Sequence, residues 1–298
     1  MPGSSMAETN MQIEKAVDVN DIPNEAVGQI EDLQRNFSVF SMLSLSVSLM
    51  ATWEAFCSTM VTGFSSGGPV SLVYGFIFAM LGSLATAASL GEMASMFPTS
   101  GVLTWISGWT STFGWQALAV SSPYLGGTLI QSLVQFNHES YISERWHGTM
   151  IYWAIVLLAT LVSVFSNKML PLIQNLTLLF HVVAFVIVLV VICTVSPTRH
   201  TTAFVFTESM NNSGWSNDGV AWCIGMLSSC YVLIGYDGAT NMCEEINNPR
   251  RNVSFAMIGS IVVNGIMGLG FVIAFLFNLG DVEAVLTART TYPIHFQC

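Results

Sequence analysis

Charge is scarce in this sequence. Of 298 residues only 9% are Asp, Glu, Lys or Arg, against about 25% in a typical soluble domain. With 52% of residues hydrophobic, a water-facing surface cannot be built all round, which excludes an ordinary soluble globule. Cations are scarcer still: eight Lys and Arg stand singly, apart from the pair Arg250 and Arg251. Nucleic-acid binding needs clustered cations for phosphates, so that class is set aside.

Metal-type cysteine spacing is also missing. Cys57, Cys193, Cys223, Cys230, Cys243 and Cys298 follow no ligand pattern, and five sit in or beside apolar runs, where free Cys behaves as a small hydrophobe. No zinc site or disulfide is expected. His138, His147, His181, His200 and His295 are isolated in sequence, and no nucleophile-and-base spacing appears. The expectation is therefore of a protein that is not an enzyme, with no metal and no cofactor. The net charge of −10 describes mainly a tail: seven of the 18 acids, Glu8, Glu14, Asp18, Asp21, Glu25, Glu31 and Asp32, precede residue 37. That opening stretch has no basic segment followed by an apolar core, so the first apolar run is expected to direct insertion itself.

What the chain does have is long apolar runs. A spanning helix needs about 20 mostly apolar residues, because a helix rises about 1.5 Å per residue through a core of roughly 30 Å. Seven stretches meet or approach that: 37 to 61, 69 to 90, 113 to 136, 150 to 166, 170 to 195, 219 to 241 and 254 to 279. The reading is an all-α, multi-pass membrane protein, with an acidic tail over 1–36 and a transmembrane domain over 37–298. Cytoplasmic loops are enriched in Lys and Arg. Placing the N-terminus in the cytoplasm puts Lys15, Arg35, Lys168, Arg250 and Arg251 inside, against Arg145, Arg199 and Arg289 outside. The Asn211-Asn212-Ser213 sequon then falls outside. Seven spans also leave the end of the chain outside with no closing helix, so the chain reads as cut short.

Two acids lie within apolar runs. Glu54 stands in Ala51-Thr52-Trp53-Glu54-Ala55, where a charge costs roughly 2.5 to 3.5 kcal/mol on insertion. Two readings are open: a group in a substrate or ion path, as carboxylate or proton carrier, and a protonated or paired carboxyl that fixes helix packing. Asp237 repeats the pattern in Ile234-Gly235-Tyr236-Asp237-Gly238-Ala239, where Gly235 and Gly238 let a helix open around a cavity or simply pack closely. Trp53 and Tyr236 beside them offer faces to an ammonium group or serve packing alone.

Longer motifs carry a resemblance. Ser89-Leu90-Gly91-Glu92-Met93-Ala94-Ser95-Met96-Phe97-Pro98-Thr99-Ser100-Gly101 is similar to the loop after the second helix of amino acid-polyamine-organocation permeases, with Val102 where a second glycine is usual. Ser65-Ser66-Gly67-Gly68-Pro69 and the run Asp237-Gly238-Ala239-Thr240-Asn241-Met242-Cys243-Glu244-Glu245, followed by Asn248-Pro249-Arg250-Arg251, resemble fungal choline and GABA permeases of that superfamily. Asn241 stands where the family usually has His. The resemblance covers the chain from about Asn36 onward. It implies a leucine-transporter-like fold of two inverted five-helix repeats plus two helices, of which this chain supplies about seven of twelve. It also implies substrate at the midplane between broken first and sixth helices, and a cytoplasmic gate of Glu92, Glu244, Glu245, Arg250 and Arg251.

The expected function is secondary active transport of a small amine or amino acid such as choline or GABA, coupled to a proton, at the plasma membrane. The expected substrate-binding residues are Trp53, Glu54, Gly235, Tyr236, Asp237 and Gly238. The alternatives are a truncated permease fragment that does not transport, and a seven-helix receptor, which the charge-derived orientation opposes.

Overall fold

The computed structural model describes residues 38–96, 105–138, 141, 144–165, 169–196, 199–242 and 248–280. The tail expected over 1–36 lies outside these. Every regular element among the described residues is a helix, in keeping with the all-α membrane class read from composition. The elements are α1 (Val39–Met50), α2 (Thr52–Met96), α3 (Trp105–Asn137), α4 (Arg145–Phe165), α5 (Leu170–Val195), α6 (Thr202–Thr207), α7 (Asp218–Tyr231), α8 (Gly238–Asn241) and α9 (Pro249–Phe277).

Local chemistry explains most boundaries. Ser38 caps α1, its hydroxyl accepting from the Ser41 N–H at 3.1 Å, and Asn217 caps α7 by accepting from the Gly219 and Val220 N–H groups. Pro171 and Pro249 sit in the first turns of α5 and α9, where a missing N–H costs nothing. α2 is two arms, hinged at Gly68 with φ 71, and Pro69 cannot donate across the hinge. The loop after α6 satisfies the groups freed there: the Val70 N–H donates to the Glu208 carbonyl, and the Asn212 N–H donates to the Ser65 carbonyl at 2.8 Å. A Cβ on Gly68 would lie 2.6 Å from the Met210 nitrogen, so this plug requires glycine.

α2 occupies the centre, packed along α7 and α9, while α1 lies against α9 and α5. The core between them holds Met42, Trp53, Phe56, Phe76, Met257, Phe271 and Phe275. The crossing of α2 and α7 is made of small residues. Gly63 and Gly67 on α2 face Gly225 and Ser228 on α7, and a Cβ on Gly225 would lie 2.5 Å from the Ser71 hydroxyl. In lipid no hydrophobic force drives helices together, so such close backbone approach supplies the attraction. α3 and α4 pair chiefly with each other. α4 buries none of its residues, and α5 buries only His181 and Ile192.

Among the described residues, the stretches long and apolar enough to cross a bilayer are Val39–Met93, Arg145–Phe165, Leu170–Val195 and Arg251–Phe277. The first contains two expected spans, 37 to 61 and 69 to 90, joined at Gly68. The third expected span lies in α3, a 33-residue helix with Pro123 inside it. The sixth, 219 to 241, is not a continuous helix: α7 ends at Tyr231 and helix resumes at Gly238.

Candidate substrate site

The first expected span is interrupted at Ala51. Its backbone is left-handed, φ 41 and ψ 45, and its N–H donates back to the Val47 carbonyl, while the Ala55 N–H donates to the Ala51 carbonyl at 2.9 Å. Such a break survives at lipid depth only where protein covers it or a cavity opens on it. Both hold here. Asn264 of α9, fully buried, donates to the Val47 carbonyl at 3.2 Å. The Thr52 hydroxyl, also fully buried, donates to the Val232 carbonyl at 2.8 Å. That second bond joins the break after α1 to the break after α7.

The break after α7 runs from Val232 to Asp237. Gly235 takes φ 107, and a Cβ on it would lie 3.4 Å from the Leu49 backbone, while a Cβ on Gly238 would lie 2.5 Å from a Leu49 methyl and 3.1 Å from the Trp115 ring. The two glycines thus differ in purpose: Gly235 permits the turn, and Gly238 lets α8 approach α1 and α3.

Two adjoining cavities open on these breaks. One, of about 240 Å³, is lined by Ala51, Glu54 and Ser58 from the first break and by Leu118 and Ser122 of α3. The other, of about 430 Å³, is lined by Asp237, Trp115 and Ser121. Leu118, Tyr231 and Ile234 line both, so the acids face neighbouring compartments with an apolar waist between. The Tyr231 hydroxyl donates to the Ser121 hydroxyl at 3.2 Å, and Trp115 and Asp237 line the larger cavity together.

Glu54 has a partner that its sequence neighbourhood does not reveal. Oε1 lies 2.7 Å from Nδ1 of His181 on α5; the histidine side chain is 3% exposed and the glutamate 39%. Glu54 lines the smaller cavity, and the imidazole backs it from within the protein. Among the described residues, the buried atoms His181 Nε2 and Glu54 Oε2 have no hydrogen-bond partner. Trp53 lies on the far side of the pair: its ring stands 6.0 Å from His181, 6.2 Å from Phe185 and 5.9 Å from Phe271, and it is buried. Trp53 does not line either cavity, and nor does Tyr236, which packs against the core. The aromatics that do line them are Trp115 and Tyr231.

The expected gate falls partly outside view. Glu244 and Glu245 lie outside the described residues. Glu92, at the end of α2, and Arg251, at the start of α9, are exposed, and Arg250 is in the first turn of α9. The two helices meet there, with the Ser254 hydroxyl donating to the Gly91 carbonyl at 2.7 Å.

Two interrupted helices meet beside polar-tipped cavities in this multi-pass helical protein. Residues 37–297 match the amino acid permease family, to which the chain belongs; this is a family of permeases, not of enzymes. Similar proteins include a choline transporter of Saccharomyces cerevisiae, 28% identical over 98% of this chain and 55% of the relative. A putative amino acid/polyamine transporter of Macrophomina phaseolina is 26% identical over 85% of this chain and 59% of its own. An amino-acid permease of Arabidopsis thaliana is 26% identical over 91% of this chain and 57% of its own. The chain spans little more than half the length of these relatives.

Proposed function

We propose that this protein is a secondary carrier that moves a small amine or amino acid, with choline and GABA as candidate substrates, across the plasma membrane with a proton. Its N-terminus is cytoplasmic in this reading. The observation that carries it is the placement of Glu54 and Asp237 on adjoining cavities at two helix breaks tied together by the Thr52–Val232 hydrogen bond. Ionisable groups at lipid depth lower stability and are kept where a solute or proton path uses them. The relatives' names, one a choline transporter and others amino-acid permeases, support both substrate candidates.

The proton assignment rests on the Glu54–His181 pair. Glu54 Oε1 and His181 Nδ1 lie 2.7 Å apart beside the smaller cavity, a contact between an acid and a base that supports this assignment. Uptake of radiolabelled choline and GABA in a permease-deficient cell tests the reading, comparing wild type with Glu54→Gln and Asp237→Asn at matched surface expression. Loss of uptake in both is expected. Unchanged uptake in both removes the carrier site.

A further inference from the structure

Thr52 is fully buried and lines neither cavity, yet it stands between the two helix breaks. Its hydroxyl donates to the Val232 carbonyl at 2.8 Å, across 180 positions of sequence. α7 has ended at Tyr231, so no following N–H of that helix reaches this carbonyl, and a carbonyl left bare inside the protein is costly. The Thr52 hydroxyl takes the place of the missing N–H.

The methyl of the same side chain aims that hydroxyl. A Cβ on Gly268 of α9 would lie 2.8 Å from Thr52 Cγ2, so the methyl fills the space that a side chain at position 268 would need. A β-branched side chain is stiff about its first torsion; once the methyl is seated on Gly268, the direction of the hydroxyl follows. Asn264, one turn earlier on α9, donates to the Val47 carbonyl at 3.2 Å, so neighbouring positions on α9 hold both flanks of the first break. The smaller cavity takes Ala51 and Glu54 from that break and Tyr231 and Ile234 from the end of α7 and the second break. The Thr52–Val232 bond therefore ties one wall of this cavity to the other.

Resting on the carrier reading above, we propose that Thr52 is a positioning residue of the solute site: its hydroxyl holds the two helix breaks at the separation that solute binding requires, and Gly268 is the seat that orients it. Thr52 acts through the backbone of the second break and touches no solute.

Hydrogen–deuterium exchange of the intact protein in detergent tests the tie without requiring transport. The Leu233, Ile234 and Gly238 amides report on it, because their hydrogen bonds to the Cys230, Tyr231 and Gly235 carbonyls close the second break. Thr52→Val keeps the shape and removes the donor; exchange over 232–238 is expected to speed up by about 10-fold or more, with 249–277 staying within about 3-fold of wild type. Thr52→Ala, which removes the donor without pressing a second methyl on the carbonyl, should do the same. Thr52→Ser keeps the hydroxyl and should stay within about 3-fold throughout. Uptake of choline and GABA at matched surface expression gives the second readout: Thr52→Val should raise KM at least about 5-fold and change the maximal rate less than about 2-fold, with Thr52→Ser restoring KM. Unchanged exchange in Thr52→Val and Thr52→Ala overturns the proposal, as does equal acceleration in Thr52→Ser or over 249–277, where loosening would be general. Faster exchange with an unchanged KM overturns it too and leaves the carrier reading standing. Uptake of neither solute by the wild type instead removes the carrier reading, and the exchange comparison alone then decides whether the tie exists.

Discussion

At the scale of single residues, the distribution of charge decides where chemistry is possible. Replacing His181 by Ala leaves the Glu54 carboxyl at the edge of the core without its 2.7 Å partner, a loss of about 1 to 3 kcal/mol for an unsatisfied group. His181→Ala is expected to lower the thermal midpoint in detergent; an unchanged midpoint would mean that the pair contributes nothing to the packing of α5. Glu54 and Asp237 were legible in the sequence because a carboxylate in an apolar run is conspicuous. His181 was not, since it lies 127 positions from Glu54 and only the packing of α5 on α1 and α2 brings them together. Trp53 and Tyr236 were assigned by adjacency, which for Trp53 misleads because successive side chains on a helix diverge by about 100°. Trp53 went into the core and Tyr236 against it, and the cavities took their aromatics from α3 and the end of α7.

Elements are set by where helices stop. The Gly235 stop was readable, because only glycine adopts φ 107 without strain. The Gly68 hinge was readable too, from Gly67-Gly68-Pro69. The Ala51 stop carries no local signal, since alanine is the strongest helix former; it is held by tertiary contacts, Asn264 donating to the Val47 carbonyl and Thr52 to the Val232 carbonyl at the other break. The family resemblance alone anticipated it. These two stops respond oppositely to substitution. Gly235→Ala places a Cβ in a left-handed position beside the Leu49 backbone and is expected to destabilise by about 1 to 2 kcal/mol. Ala51→Gly relieves the φ of 41 and is expected to cost nothing, with a midpoint equal to or above that of the wild type. Equal losses from both would mean that neither left-handed turn persists in the membrane. The α2–α7 crossing offers a third check: Gly225→Val drives side-chain carbons into Ser71 and the Gly63 carbonyl, an overpacking loss of about 1 to 3 kcal/mol readable in the same melts.

For the molecule as a whole, the question is what surrounds the helices that bury little. α4 has no buried residue, and Trp153, Leu157 and Leu158 are each more than half exposed on it. In water such a face would drive aggregation, whereas hydrocarbon satisfies it, and the run meets the length and hydropathy needed to cross. Composition made this environment legible from the outset, because hydropathy integrates over a whole run and does not depend on where any one side chain points. The count of spans was less legible, since a helix interrupted for a cavity and one bent at a glycine both blur a measure that assumes straight rods. If α4 faces lipid, a nitroxide attached at a Leu158→Cys position will relax strongly with oxygen, which concentrates in the bilayer, and weakly with a water-soluble nickel chelate. A label at Ser216, in the exposed loop before α7, will show the reverse. Strong nickel relaxation at position 158 would mean that this face meets water, and α4 would then have no place among the spanning helices. Leu158→Arg carries the same argument into energetics, adding roughly 2.5 to 3.5 kcal/mol to insertion at a site where no protein group is packed against the new charge, so its membrane yield should fall while Thr207→Arg, on the exposed end of α6, leaves yield unchanged.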